Sequence, residues 1–218
     1  MATVSIVHFA VIVLLSYLLG AVPTSIIVGK LFFKTDIRDH GSGNAGGTNA
    51  VRVFGGRAGA AVILVDVAKG AAAVLLVSRL PLFEGAEAPL LPADATALVA
   101  GVAAVIGHIW TVFASFRGGK GVATAAGMVA GLYPVAFAAT IPVFVIAIAL
   151  SGIVSVGSIA AAIGFPLILL LLDATGVSSP SALLLWVSLF IALLILFTHR
   201  TNIARLLRGE EKRMFGRR

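Results

Sequence analysis

The residues from Arg38 to Arg52 are the part of this chain best equipped to grip an anion. They read Arg38-Asp39-His40-Gly41-Ser42-Gly43-Asn44-Ala45-Gly46-Gly47-Thr48-Asn49-Ala50-Val51-Arg52. Four glycines allow backbone conformations in which successive N–H groups turn toward one point, and such a nest usually holds phosphate. Ser42, Asn44, Thr48 and Asn49 add side-chain donors, and Arg52 adds a planar fork that matches phosphate oxygens. The plain alternative is a flexible polar linker, but a linker does not need Asn, Thr and Arg set so densely beside its glycines. Gly41 to Gly46 also fits G-x-G-x-x-G, with Asp66 twenty residues after Gly46. A dinucleotide site needs a strand before that motif, and Arg38-Asp39-His40 is no strand end, so this reading is rejected.

A second segment has the same character. Phe116-Arg117-Gly118-Gly119-Lys120-Gly121-Val122-Ala123-Thr124 places glycines and a cation just before an apolar stretch. The N–H groups at a helix start attract anions. It is not a nucleotide-hydrolysing P-loop, because Ala114 stands at the first glycine position and Gly121 where the magnesium-binding hydroxyl would be. Its alternative is an ordinary basic turn at a membrane surface. Ser155 and Ser158 lie in a small polar turn at 151–158; they suit either substrate donors or helix caps. In the tail, His199, Asn202 and Arg205 recur every three residues and so fit one helical face. Asp66 and Lys69, at i and i+3 within an apolar segment, are expected to pair with each other or face a polar interior. His108 reads as an isolated, satisfied histidine. No spacing suggests a metal site, and the absence of cysteine removes thiolate ligands and nucleophiles.

What must position these groups is a membrane bundle. Of 218 residues, 60% are hydrophobic and 11% charged, and the mean hydropathy is +1.10. A soluble globule of this size cannot hide that much apolar surface, and a disordered chain would not carry it. Apolar stretches at 4–22, 58–77, 95–113, 154–172 and 182–198 have the length of membrane spans. The stretch 122–150 is too long for one span and is interrupted by Gly131-Leu132-Tyr133-Pro134, which predicts two short helices. No basic residue precedes Lys30, so the first stretch lacks the charged flank of a signal peptide and is expected to remain.

Charge sets the expected topology. All of the 16 basic residues except Lys69 and Arg79 fall between spans one and two, after span three, or in the tail beyond 199. Segments 79–94 and 173–181 instead carry Glu84, Glu87, Asp94 and Asp173. If the basic segments are cytoplasmic, only an odd number of spans brings the tail inside with the N-terminus outside. The expectation is an all-α bundle of seven transmembrane helices, with six spans as the alternative, some helices short or partly re-entrant, forming one domain over 1–218. The formal net charge of +7 is explained by this asymmetry, and no nucleic-acid partner is expected. Arg208, Lys212 and Arg213 are expected to meet anionic lipid headgroups.

Two glycine-rich anion loops and a His/Asn tail on one side of a bundle resemble the bacterial membrane acyl-phosphate:glycerol-3-phosphate acyltransferases of the PlsY type. The strings that carry the resemblance are Gly41-Ser42-Gly43-Asn44, Gly46, Thr48-Asn49 and Arg52; Gly107-His108 and Phe116 to Thr124; and His199, Asn202-Ile203, Arg205, Gly209 and Glu211. Asp66, Lys69-Gly70 and the Ser155–Ser158 turn also fit, so the likeness spans nearly the whole chain. Thr111 stands where the family usually has Pro, and Arg117 where it often has Lys. The resemblance implies an acyltransferase of phospholipid synthesis in the bacterial inner membrane, with its site facing the cytoplasm. Its substrates would be glycerol 3-phosphate and a fatty acyl phosphate, with membrane lipid around it and no cofactor or metal. It implies that Ser42, Arg52 and Lys120 bind phosphate and stabilise charge. Asn44, Gly46, Thr48 and Asn49 would complete the first loop, and Gly118, Gly119 and Gly121 would shape the second. Ser155 and Ser158 would contact substrate, and His199 and Asn202 would orient it or assist proton transfer. The general base is either His199 or a phosphate oxygen of the donor. The segments are expected to converge beneath the bilayer. A small transporter of a phosphorylated metabolite and an anionic-lipid-binding scaffold are the competing classes.

Overall fold

A computed structural model describes residues 2–82 and 90–214. Met1, Glu84, Glu87, Arg217 and Arg218, which the charge argument uses, lie outside the described residues. Among the described residues the regular structure is helical throughout, with no strand. The helices are α1 Ala2–Ala21, α2 Thr24–Phe32, α3 Gly47–Phe54, α4 Gly56–Leu75, α5 Ala93–Ile109, α6 Val122–Leu132, α7 Pro134–Ser151, α8 Val154–Ala174, α9 Ala182–Thr198 and α10 Arg200–Leu207. Short 3₁₀ turns cover Ile37–Asp39, Val77–Arg79 and Val112–Ala114.

Among the described residues, five helical stretches are long and apolar enough to cross a membrane: Thr3–Phe32, Gly56–Arg79, Ala93–Ala114, Pro134–Ser151 and Val154–Ala174. The pair Ala182–Thr198 and Arg200–Leu207, bent by 60°, makes a sixth if it counts as one span. The long apolar run divides where expected. Tyr133 precedes α7, whose first residue is Pro134, a position that needs no backbone donor. α6 has 11 residues, a rise of about 16 Å. That is well short of the ~30 Å hydrocarbon layer.

The chain forms two compact units, Met1–Leu132 and Tyr133–Arg218. In the first, α1 packs on α5 and α4 packs on α6 through small residues. A Cβ at Gly20 would meet the Ala104 backbone, and one at Gly107 the Tyr17 carbonyl. A Cβ at Gly70 would meet the Thr124 carbonyl, and one at Gly127 the Val67 carbonyl. In lipid the surroundings are as apolar as the helices, so association depends on such close backbone approach rather than on expelling water. Large apolar side chains such as Leu64, Val65 and Phe32 point outward, as a lipid-facing surface requires. The second unit packs α7 on α8 and α8 on α9. A Cβ at Gly157 in α8 would meet Ile148 and the Phe144 carbonyl of α7.

Candidate active site

The first unit brings both glycine-rich loops together. Asn49, in the first turn of α3, is buried and organises the first loop from inside. Its Nδ2 lies 3.2 Å from the Ile37 carbonyl, 3.0 Å from that of His40 and 3.1 Å from that of Asn44. Its Oδ1 accepts from the Ser42 N–H at 2.9 Å. Gly41 and Gly43 carry the reversal, with φ of +65° and +73°, a region that L side chains rarely adopt.

These bonds change the expected picture of the nest. The Ser42 amide is taken by Asn49, and the Gly43 amide donates to the His40 carbonyl at 3.0 Å. The groups the loop presents are the exposed Ser42 side chain, the half-buried Asn44, Thr48 and Arg52, and the first turn of α3. That turn begins at Gly46, which supplies no side-chain cap, so its leading N–H groups suit an anion.

Arg38 couples this loop to the second. Its Nε and Nη2 donate to the two oxygens of Asp36 at 3.0 and 2.8 Å, and its Nη1 donates to the Ala114 carbonyl at 3.0 Å. The hydrogen bond from Arg38 holds the Asp36 carboxyl at about 2, against an ordinary 3.8, despite the opposing effect of burial. The Asp36 carboxylate in turn raises the Arg38 guanidinium further. Beneath this clasp, Ile26, Ile37, Ala45, Ala50, Val62 and Ala114 form one apolar cluster. Ala45 comes from the first loop and Ala114 from the entry to the second, so both rest on the same core.

The second loop is bent by two consecutive left-handed residues, Ser115 and Phe116, at φ +55° and +59°. Such conformations cost energy at non-glycine positions and persist where neighbours enforce them. Thr111 is one enforcer: its hydroxyl donates to the Ala21 carbonyl and accepts from the Phe113 N–H. Its φ of −71° would suit the proline usual in the resembling family, so the departure keeps the backbone and adds a cap. Gly118 and Gly119 then lie against the end of α5, their N–H groups donating to the Ile109 and His108 carbonyls at 3.0 Å each. A Cβ on Gly118 would strike the His108 carbonyl, and one on Gly119 would strike His108 Nε2. Lys120 follows, half-buried, and Gly121, at φ +86°, turns the chain into α6.

Asp66 and Lys69 pair as their spacing predicts, Nζ to Oδ1 2.8 Å. Thr24 also donates to Asp66 Oδ1 at 3.0 Å, and Lys69 donates to the Val22 carbonyl at 2.8 Å. His108 is not the isolated histidine expected from its segment. Its Nδ1 lies 3.4 Å from Lys69 Nζ and 3.7 Å from Asp66. Nothing in local spacing connects residue 108 to residue 66; only the packing of α5 on α4 does.

The second unit holds the remaining candidates. His199 ends α9 and precedes α10, with Nδ1 2.8 Å from the Ile195 carbonyl. Asn202 and Arg205 share one face of α10, and both engage Glu211. Asn202 Nδ2 lies 2.5 Å from Oε1, and Arg205 Nε lies 2.6 Å from Oε2. Ser155, from the first turn of α8, donates to the same Oε1 at 3.0 Å. Burial by itself would push the Glu211 carboxyl up, but Arg205, Asn202 and Ser155 outweigh it and hold the group below its ordinary range. Ser158 instead donates to the Val154 carbonyl within its own helix at 3.1 Å. Among the described residues, no group of three His, Cys, Asp or Glu side chains is arranged to hold a metal ion.

Comparison with known proteins converges on one family. A profile of the glycerol-3-phosphate acyltransferase family matches residues 10–209. The glycerol-3-phosphate acyltransferase of Chlorobaculum tepidum is 47% identical over 227 aligned positions, covering 96% of this chain and 98% of its own. That of Chlorobaculum parvum is 48% identical, with the same coverage of 96% and 98%. Among solved structures, the chain resembles PlsY, an integral membrane glycerol 3-phosphate acyltransferase. The likeness to its glycerol 3-phosphate form has a TM-score of 0.81 and 33% identity over 95% of this chain and 96% of that one. The likeness to its lysophosphatidic acid form has a TM-score of 0.78 and 32% identity, covering 95% of each.

Proposed function

The chain belongs to the glycerol-3-phosphate acyltransferase family, and from that premise we propose that it acylates the 1-hydroxyl of sn-glycerol 3-phosphate using acyl phosphate as donor. The products are lysophosphatidic acid and inorganic phosphate. The observation that carries this reading is the union of two glycine-rich loops in one folded unit, each with a half-buried cation, Arg52 and Lys120. Both substrates bear phosphate, and two cationic loops on a common core match that requirement.

The chemistry asks mainly for positioning. Acyl phosphate is a mixed anhydride and already activated. The substrate hydroxyl attacks the acyl carbonyl carbon, the bond from that carbon to the phosphate oxygen breaks, and the hydroxyl proton passes to a base. No covalent enzyme intermediate is required. Holding the two reactants in line removes several kcal/mol of entropic barrier, and donors aimed at the carbonyl oxygen stabilise its developing charge. Ser42, Arg52 and Lys120 take the phosphate groups and that charge, with Asn44, Gly46 and Thr48 shaping the first binding surface. Asn49, Gly118, Gly119 and Gly121 hold the loops in shape. His199 and Asn202, with Ser155 and Ser158, orient substrate, and the proton acceptor is His199 or a phosphate oxygen of the donor.

The charge asymmetry supports seven spans, with the N-terminus outside and the tail in the cytoplasm of a bacterial inner membrane. Because the chain has no cysteine, single cysteines at Ser178 and Lys212 report sidedness cleanly. The proposal requires Ser178→Cys to label from outside intact cells and Lys212→Cys only after lysis.

Lysophosphatidic acid formation by purified protein tests the donor, because acyl phosphate leaves inorganic phosphate behind whereas an acyl-CoA leaves coenzyme A thiol and no phosphate. With glycerol 3-phosphate present, acyl phosphate supports turnover and an acyl-CoA of the same chain does not. Turnover with acyl-CoA alone overturns the donor assignment. Counterflow of glycerol 3-phosphate in proteoliposomes without any acyl donor favours a transporter instead.

A further inference from the structure

Asp66, Lys69 and His108 are all buried, at 1%, 4% and 7% exposure, and the proposed chemistry uses none of them. A set of ionisable groups inside an apolar bundle is costly to keep unless it holds something in place. Its connections indicate what it holds. Thr24 and Lys69 fix Asp66 from two sides. Lys69 also anchors to the Val22 carbonyl, where α1 gives way to α2, and reaches His108 Nδ1. The opposite edge of the imidazole, Nε2, lies against Gly119, so close that a single added methyl would collide with it. The His108 carbonyl meanwhile accepts from the Gly119 N–H. One residue therefore touches the glycine before Lys120 through both its backbone and its ring.

Glycine is needed at 119 because the ring stands where a side chain would be. The turn that carries Lys120 thus rests on a surface whose orientation is set from α4. Beyond the turn, α6 is held to the same helix by close approach at Gly70 and Gly127, so α4 fixes the loop at both ends.

We propose that His108 is a positioning residue for the Gly118-Gly119-Lys120 turn, its ring oriented by Lys69 and Asp66 so that Nε2 supports Gly119. This rests on the reading of Lys120 as a phosphate-binding cation. A misplacement of about 1 Å in a positioned group costs up to about a hundredfold, so a fraction of that shift in the Lys120 turn is enough for about tenfold.

The test separates the two edges of the ring. In His108→Asn the amide sits near the Nδ1 position and keeps the reach to Lys69 but loses Gly119. In His108→Gln the amide reaches the Nε2 position. Lys120→Ala first identifies which substrate KM depends on the turn. The inference expects His108→Asn to raise that same KM about tenfold, with the other KM unchanged, and His108→Gln to stay within about threefold of the parent. Equal KM values for parent and His108→Asn, with only a smaller active fraction, overturn it, as does a Gln variant as impaired as Asn. If Lys120→Ala shifts neither KM, the phosphate reading of Lys120 fails and takes this inference with it. A spin label at the exposed Arg117→Cys gives a readout independent of activity. His108→Asn should mobilise the label and His108→Gln should not; unchanged spectra in both contradict the proposal.

Discussion

Removing the Glu211 carboxylate should release the tail of the second unit. Glu211 Oε1 accepts from Ser155 and Asn202, and Oε2 accepts from Arg205. Bonds from neutral donors to a charged acceptor contribute about 1.5 kcal/mol each. The Arg205 pair adds only about 0.5 kcal/mol, since its side chain is 32% exposed and solvent screens it. Glu211→Ala should therefore weaken the closed tail by about 3 kcal/mol, and Glu211→Gln, which keeps an acceptor but no charge, by about 1 kcal/mol. Two amides report the opening directly: Glu210 N–H, bonded to the Arg205 carbonyl, and Met214 N–H, bonded to the Gly152 carbonyl. At about 1.4 kcal/mol per decade, hydrogen exchange at both should quicken roughly a hundredfold in the Ala variant and about fivefold in the Gln variant. The effect has a defined pH range. The folded carboxyl lies below its ordinary 4.5, so its contribution is complete above that value and fades as the pH falls through the folded value. Exchange that differs from the parent by less than threefold at neutral pH would refute the assignment of Glu211 as the tail's anchor.

Other consequences can be checked by thermal unfolding in detergent. Asn49→Ala removes four hydrogen bonds inside the first loop and should cost about 3 kcal/mol, whereas Asn44→Ala should cost less than about 1. Asp36→Asn should lower stability at neutral pH and match the parent below about pH 2, because the folded carboxyl is the stronger acid and its contribution disappears on protonation. Asp66→Asn or Lys69→Met alone leaves one buried charge uncompensated and should cost about 3 kcal/mol, and the double variant should recover much of that loss. In kinetics, Arg52→Ala should lower kcat/KM by about a hundredfold or more if the guanidinium meets the reacting anions; a near-normal value would contradict that role.

The sequence reveals those features that depend on local pattern. The span 182–198 coincides with α9, and the break near Pro134 falls where Gly131 to Pro134 signalled it. The Asp66–Lys69 pair followed from i,i+3 spacing and the cost of an unpaired charge in hydrocarbon. Contacts between distant segments left no such trace. Arg38 was visible only as one more loop cation, and its bond to Ala114 spans 76 residues. His108 carried no sign of Asp66 because helix packing, not spacing, joins them. The glycine run promised a nest of backbone donors, but Asn49 occupies the Ser42 amide from inside, a choice that side-chain chemistry alone does not fix. Glu211 stood in the family-like string of the tail, yet its three partners emerge only once residues 202–211 fold back toward Ser155.

The most direct test of the account follows a single sample of purified protein by phosphorus NMR, with acyl phosphate and glycerol 3-phosphate as the only added phosphates. Both signals should fall together while lysophosphatidic acid and inorganic phosphate rise in equal amounts. Loss of acyl phosphate with glycerol 3-phosphate unchanged, or no loss of either, would contradict it.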